Sequence, residues 1–257
     1  MLRLLAVETR RGVQIALRYP LNTLVSILMT AGIFYAFFLG ARYMAGSAMG
    51  FGGRLEGIIV GYVTWLLASN ALMHPPHAIE EEAMTGTLES LFLSCYGVTT
   101  LFLMRTLAES LIQLVKCALI LALIMALTGG RLTLSLSILF PLATLVATGM
   151  GMGLMGGGVA LMVKRSRSIF AAVHYAYLLL LMTPFETWEG HWPALANLIP
   201  LVPGVSLLRE IMVRGGAMDP VASAAAVLGA AFWLAAGILV FRRTVTVAKE
   251  KGLIAGY

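Results

Sequence analysis

The chain is short of charged residues and of cysteine, and both shortages restrict its class. Only 12% of its 257 residues are charged, whereas 60% are hydrophobic, a composition typical of polytopic membrane proteins. The two cysteines provide no disulfide framework. No basic run exceeds three residues, so we expect no nucleic-acid partner. The length leaves room for about six helical spans with short loops, and for no large soluble domain.

Several catalytic and nucleotide-binding motifs are also missing. The chain has no Gly-x-x-x-x-Gly-Lys-Ser/Thr run, so it cannot bind ATP through that motif. It lacks the Gly-x-Ser-x-Gly and His-Glu-x-x-His patterns of common hydrolases and zinc proteases. We therefore expect a chain that is not an enzyme, with no catalytic residues, no metal and no cofactor of its own.

Hydropathy predicts an all-α polytopic membrane protein with six transmembrane helices. The predicted spans are 22–40, 55–73, 101–127, 134–163, 168–183 and 220–241. Residues 1–20 form either an interfacial amphipathic helix with its arginines on one face or a plain basic flank of the first span. Those arginines interrupt the segment, so we expect no cleavable signal peptide. The fifth span is short, and the proline-punctuated apolar stretch 185–216 after it predicts re-entrant short helices.

Basic residues predict the orientation of these spans. Eleven lie on one side and five on the other. The first group is Arg3, Arg10, Arg11, Arg18, Lys164, Arg165, Arg167, Arg242, Arg243, Lys249 and Lys251; the second is Arg42, Arg54, Arg131, Arg209 and Arg214. The positive-inside rule then places both termini in the cytoplasm. We expect a multi-pass protein of a bacterial or archaeal cytoplasmic membrane.

A dense acidic block lies between the second and third spans. It contains four of the twelve acidic residues, Glu80, Glu81, Glu82 and Glu89, and no Lys or Arg. The Thr87 hydroxyl, which follows a permissive glycine, can cap a short helix there. We expect an amphipathic surface helix at 78–95 that docks a partner, with an exposed apolar ridge of Leu88, Leu91 and Phe92.

This block resembles the coupling segment of the type-2 ABC exporter permeases, a cytoplasmic helix that sits in a groove of a separate ATPase subunit. The resemblance rests on Gly86-Thr87-Leu88-Glu89, with Leu91 and Ser94 in step, and on the acidic residues upstream. Cys95 stands where the family often has proline. The resemblance assigns ATPase coupling to Glu80, Glu81, Glu82, Gly86, Thr87, Leu88, Glu89, Leu91, Phe92 and Ser94.

The same resemblance implies partners and an activity. It implies two ATPase subunits, which would hold ATP and Mg, and a second copy of the permease or a homologue. The short helices after the fifth span would form an outer gate, for which we select Trp188, Trp192, Pro200 and Pro203. The Met- and aromatic-rich spans favour export of an amphipathic drug, lipid or lipid-linked glycan over a free ion.

Polar residues recur along one face of the third span. Arg105, Glu109, Gln113 and Lys116 are spaced by four, four and three residues, so they share a helix face, and Arg105 can pair with Glu109. Ionisable groups at such depth must face protein or water. The residues indicate either part of a translocation path or a structural network of ion pairs and hydrogen bonds between helices.

Small residues recur along the fourth span. Gly149, Gly153 and Gly157 lie at four-residue intervals, a spacing that lets helix backbones approach closely. Close approach serves either a dimer interface or packing within one subunit.

One further cluster suggests a different class of function. His74, His77, Glu80 and Glu81 carry metal-binding side chains within eight residues. We expect Pro75 and Pro76 to prevent a regular helix there, so spacing does not define their geometry. The alternative is thus a polytopic membrane enzyme or metal-dependent channel, and a non-transporting membrane scaffold is a third hypothesis.

Overall fold

The computed structural model describes residues 1–45, 52–130, 132–163, 167–185, 196–216 and 218–251. Within these ranges the chain is all-helical and has no strand. The helices are α1 (Leu2–Arg18), α2 (Pro20–Ala45), α3 (Gly52–Met84), α4 (Leu88–Phe92), α5 (Val98–Thr128), α6 (Leu139–Met162), α7 (Arg167–Met182), α8 (Val202–Arg209) and α9 (Pro220–Glu250). A 3₁₀ turn, Leu136–Ile138, precedes α6, and a π-helical turn, Glu210–Arg214, extends α8.

Five of the described helices are long and apolar enough to cross a membrane. Their candidate spans are Pro20–Gly40, Leu55–Met84, Val98–Thr128, Leu136–Met162 and Pro220–Glu250. The remaining predicted span, 168–183, corresponds to the shorter apolar helix α7 of 16 residues. At 1.5 Å per residue α7 is roughly 24 Å long, below the ~30 Å of a hydrocarbon core. The fold is therefore that of a polytopic helical membrane protein, whereas the six-span layout stays a prediction.

Helix α3 continues through both prolines, so the predicted break at Pro75 and Pro76 is wrong. Proline removes the hydrogen bond to the carbonyl four residues earlier, which here belongs to Ala71 and Leu72. Both carbonyls face α6 at Gly153, where an added Cβ would lie 2.5 Å from the Ala71 oxygen and 2.9 Å from the Leu72 oxygen. The glycine backbone thus covers the carbonyls that the prolines leave free, as neighbouring helices do in membrane proteins.

The glycines of α6 pack within the chain. An added Cβ at Gly149 would lie 2.8 Å from the Ala71 Cβ, and one at Gly157 would lie 3.0 Å from the Ile79 Cδ1, both on α3. On the other side of α6, an added Cβ at Gly158 would lie 3.0 Å from the Thr244 hydroxyl of α9. Small residues therefore let α6 lie close to α3 on one face and to α9 on the other. The predicted close approach serves packing within one subunit.

Two core clusters occupy the two ends of the bundle. The first joins α2, α3, α5 and α7 to α8, through buried residues such as Phe34, Trp65, Ile124 and Val205. The second surrounds the end of α3 and includes Leu88 of α4. Helix α8 is thus part of the core, packed against α3, α6 and α9.

Helix α1 lies along α5 and has no buried residue. Its Gly12 faces Ile112 of α5 so closely that an added Cβ would overlap the Ile112 Cδ1. Apolar residues on its other sides, including Val13, Ile15 and Leu17, are exposed. This arrangement suits an amphipathic helix at a membrane surface.

Candidate functional site

The turn after α3 positions the acidic block. Gly86 has a φ of 71°, a left-handed conformation that glycine adopts without strain. The Thr85 hydroxyl donates to the Glu81 carbonyl at 2.9 Å, and the Thr87 hydroxyl donates to the Glu82 carboxylate. Thr87 precedes α4 but does not cap it with its side chain. The predicted hydroxyl cap is therefore wrong: the Thr87 side chain is directed to the Glu82 carboxylate, because a hydrogen bond to an ionised group is stronger than one between neutral groups.

The surface helix is shorter than 78–95. Glu80, Glu81 and Glu82 belong to the last turn of α3, and only Leu88–Phe92 form α4. Leu88 is 2% exposed and packs into the second core cluster, while Leu91 and Phe92 are half-buried. The predicted exposed ridge of these three residues is wrong, since they anchor α4 to the bundle.

Other side chains form the exposed face around α4. Met84 and Leu93 are 76% and 85% exposed, and Glu81 and Glu89 are exposed as well. We call these four residues the docking surface. It combines two carboxylates with two large apolar side chains that are exposed to solvent.

Ion pairs join the end of α3 to α1 and α5. Arg105 of α5 donates from Nη1 to the Glu82 Oε1 at 2.9 Å, and its Nε lies 3.6 Å from the Glu8 Oε2 of α1. Arg11 lies 3.7 Å from the same Glu8 oxygen. We call Glu8, Arg11, Glu82 and Arg105 the charge network. The side chains of Arg105, Glu82 and Glu8 are only 14%, 17% and 11% exposed, so these charges are weakly screened by water.

The four polar residues of α5 do not act as one stripe. Arg105 pairs with Glu82 and Glu8 of other helices, and the predicted pair with Glu109 is not formed. Glu109 instead lies 3.8 Å from the Lys116 Nζ, two helical turns away. Gln113 donates to the Cys117 sulfur at 3.8 Å. The structure thus joins Arg105 to a network between helices and leaves the other three on α5 itself.

A cavity of about 390 Å³ lies beside the charge network. Its walls come from α1, the last turns of α3, the turn after it and the start of α5. They include Glu8, Glu82, Arg105 and Glu109, together with His74, whose Nδ1 lies 3.2 Å from the Thr106 hydroxyl. The carboxylates of Glu8, Glu82 and Glu109 and the largely buried guanidinium of Arg105 make this cavity polar.

The metal-binding alternative lacks a ligand cluster. Among the described residues, no group of three or more His, Cys, Asp or Glu side chains is arranged to hold a metal ion. On the continuous helix α3, His77 is exposed while His74 is half-buried against α5. The structure therefore does not bring His74, His77, Glu80 and Glu81 together as a metal site.

The predicted outer gate is only partly described. Trp188 and Trp192 lie outside the described residues. Pro203 lies in the first turn of α8 and is buried, and Pro200 is half-buried just before it. Both prolines line a small cleft of about 30 Å³ between α6, α8 and α9.

Two residues that matter here escape sequence reasoning. Glu8 is the one acidic residue among the arginines of the first 18 positions, and that isolation is a signal for a specific partner. Arg209 is counted in the sequence among the basic residues on the side opposite the cytoplasm, yet it is 4% exposed. It donates to the carbonyls of Gly57, Leu181 and Thr183, and so joins α8 to the start of α3 and the end of α7.

Comparison with known proteins does not identify a family for this chain. No protein-family model and no curated protein sequence matches this chain. An assignment of function therefore depends on the docking surface, the charge network and the resemblance of the acidic block.

Proposed function

We propose that this chain is the transmembrane permease subunit of an ATP-driven exporter of the type-2 ABC class. A separate ATPase subunit would dock on the segment 80–94 and supply the energy. The observation that carries the proposal is the junction of α4 with the charge network: an exposed acidic and apolar surface joined directly to helices that cross the membrane.

The docking surface supports contact with a partner protein. Glu89 lies on α4, whose Leu88 packs in the same core cluster as Ile79 and Ala83 at the end of α3, so a displacement of α4 would be passed to α3. Lys249 at the end of α9 lies 5.5 Å from the centre of the Phe92 ring, a cation–π contact on a second side of α4. A force applied to α4 would therefore reach both α3 and α9.

The charge network supports transmission to the remaining helices. Arg105 holds the last turn of α3 to α5, and through Glu8 it also holds α1. The charged hydrogen bond from Arg105 to Glu82 is strong and directional and joins α3 to α5, whereas the 3.6 Å ion pair of Arg105 with Glu8 adds a weaker electrostatic link to α1. We therefore expect α3 and α5 to move together, with α1 following them. An exporter needs two global states whose populations change when ATP binds, and a rigid junction of this kind can convey that change.

The rest of the assembly follows from the same proposal. Two ATPase copies, carrying ATP and Mg, would pair with this chain and with a second copy or a homologue. The cargo would be an amphipathic drug, a lipid or a lipid-linked glycan leaving the cytoplasm of a bacterium or archaeon. Both termini and the docking surface would lie in the cytoplasm, where the basic residues predict them to be.

Purification of the tagged chain from its native membrane in mild detergent tests the proposal. We expect a stoichiometric P-loop ATPase in the product, with ATP turnover that vanadate inhibits. A chain that purifies without an ATPase under these conditions would contradict the proposal.

Charge reversal at the docking surface tests the role of α4. Glu89→Lys should reduce the stimulation of ATPase activity by on the order of a hundredfold, because a repelled charge at an interface costs several kcal/mol and each ~1.4 kcal/mol is a factor of ten. Glu250→Lys, which reverses an exposed carboxylate at the end of α9, is the matched control and should leave stimulation unchanged. Equal activities in the two variants, with both folded, would remove the coupling role of Glu89.

A further inference from the structure

A second cavity lies between α3, α5 and α7, away from the charge network. Its volume is about 410 Å³, within the range of small-molecule sites. Ser69 on α3 and Gln113 on α5 both line it, and each lies near the middle of a candidate membrane span. The third wall is provided by α7, through Phe170, His174 and Tyr175.

Three polar atoms at this cavity have no hydrogen-bond partner. They are the Ser69 Oγ, the Asn70 Oδ1 and the His174 Nδ1. Ser69 is only 5% exposed, so bulk water does not compensate for the missing bond. Unpaired polar groups in an apolar medium are costly, and their concentration at one cavity indicates an occupant that bonds to them. All three residues line the cavity, but these three atoms are turned into its wall, so an occupant would bond to them after the serine hydroxyl rotates or the asparagine side chain turns.

The aromatic side of the cavity is held in place. The Trp65 indole donates to the His174 carbonyl at 3.1 Å, and the Trp65 and His174 rings lie 4.7 Å apart. His174 in turn contacts the Tyr175 ring at 5.3 Å, edge to face. Rings that are fixed before a ligand arrives offer stacking at little entropic cost.

The lining also limits the charge of the occupant. None of the described lining residues is Asp, Glu, Lys or Arg. A cation would therefore lose its hydration without gaining a counter-charge, and an anion would gain one only from a protonated His77 or His174. Gln113 and Asn70 each carry both a donor and an acceptor, so a matching ligand would offer both as well.

We infer that this cavity binds a neutral aromatic molecule that carries a hydrogen-bond donor and acceptor, such as an aryl carboxamide. The aromatic rings of Trp65, Phe170 and Tyr175 would hold its ring, and Ser69 and Asn70 would bond to its polar group. Identification of such a molecule as transported cargo rests on the proposed exporter function, whereas the binding site itself does not.

Photo-crosslinking on the full chain, purified with any partners that remain bound, tests the site. The probe is 4-benzoylbenzamide, and benzophenone is its matched analogue without the amide. Peptides labelled under illumination are identified by mass spectrometry. We expect saturable labelling of peptides from α3 and α7 by the amide probe, at about tenfold lower concentration than with benzophenone, the factor for one or two hydrogen bonds.

Two variants and a control link the labelling to the polar atoms. Ser69→Ala and Asn70→Leu should each weaken labelling by the amide probe about fivefold to tenfold, and should leave labelling by benzophenone unchanged. Ser110→Ala is the control, because Ser110 is a buried hydroxyl on α5 that bonds to its own helix and does not line the cavity. If Asn70→Leu fails to fold, the comparison of the two probes on Ser69→Ala still decides the result.

Three outcomes would overturn the inference. The first is labelling that does not saturate, which would mean that the probe reaches the chain by non-specific partition and does not bind in the cavity. The second is equal labelling by the two probes, which would remove the role of the polar atoms. The third is a crosslink from p-benzoylphenylalanine at position 170 to a second copy of the chain, which would show that a subunit interface fills the space. ATPase co-purification is scored on the same preparation, so loss of the exporter proposal and loss of the site are read separately.

Discussion

Replacement of Gly151 by alanine should destabilise the fold, because α6 and α9 cross with their backbones in contact at this point. An added Cβ at Gly151 would overlap the carbonyl carbon and oxygen of Trp233 and would lie 2.6 Å from the nitrogen of Leu234. Gly237 of α9 faces the same crossing, where an added Cβ would overlap the Gly151 carbonyl. All of these neighbours are backbone atoms, so no side-chain rotation can relieve the overlap.

The expected cost follows from two opposing effects. Overpacking of a well-packed core costs about 1–3 kcal/mol, and the upper part of that range applies because a whole helix must shift. The weak C–H···O contacts of the close crossing, about 0.5–1 kcal/mol each, would be lost as well. Alanine is the better helix former by about 1 kcal/mol. We therefore expect Gly151→Ala to lower the free energy of unfolding by about 2–3 kcal/mol.

Gly229→Ala is the matched control. Gly229 lies on α9, and an added Cβ there has no heavy atom within 4 Å. Only the backbone effect applies, so this variant should gain about 0.5–1 kcal/mol. Titration of both purified variants with SDS in mixed micelles, followed by circular dichroism, measures the difference. A Gly151→Ala variant as stable as Gly229→Ala would refute the close crossing of α6 and α9.

Three further predictions concern single side chains. Arg105→Gln should lower the free energy of unfolding by about 2–4 kcal/mol, because it leaves the poorly hydrated Glu82 without its cation. The Glu82→Gln/Arg105→Gln double variant should lose less stability than the sum of the two single losses. Additive losses in the same SDS titration would contradict the ion pair. Arg209→Lys should cost about 2–4 kcal/mol, since an ammonium group cannot reproduce the planar set of bonds to three separate carbonyls, and a thermal-shift measurement without loss would contradict that role. A membrane-impermeant maleimide should label the exposed Cys95 in inside-out vesicles and not in right-side-out cells, while the buried Cys117 stays unlabelled; labelling of Cys95 from the outside would reverse the predicted orientation.

Local sequence rules predict where the helices lie, but they do not predict whether a helix continues through a proline. Hydropathy predicts apolar helices because each segment must satisfy its own backbone hydrogen bonds in a membrane, whatever its neighbours are. The same local reasoning predicts a break at Pro75 and Pro76, and there it fails. Whether α3 can continue depends on Gly153, which lies more than 70 residues further along the chain and covers the carbonyls that the prolines leave free.

The candidate site shows the same limit. Helical spacing places Arg105 and Glu109 on one face and predicts that they pair. Spacing along one helix carries no information about acidic residues on other helices, which are the partners that Arg105 has in the structure. Glu82 and Glu8 are distant in sequence and reach Arg105 only because α1, α3 and α5 converge. The acidic block is visible in the sequence, but the identity of its exposed side chains depends on how α4 packs against the core.

The sequence by itself determined that this is a helical chain with long apolar spans, an arginine-rich amphipathic start and an acidic segment that resembles a coupling helix. These properties depend on composition and on periodicity along one helix, both of which are local. Only the tertiary structure decided which charges pair, which faces of α6 meet α3 and α9, and where Ser69, Asn70 and His174 are left without partners around one cavity. Each of these depends on the close approach of helices that are far apart in sequence, and packing alone decides which helices meet.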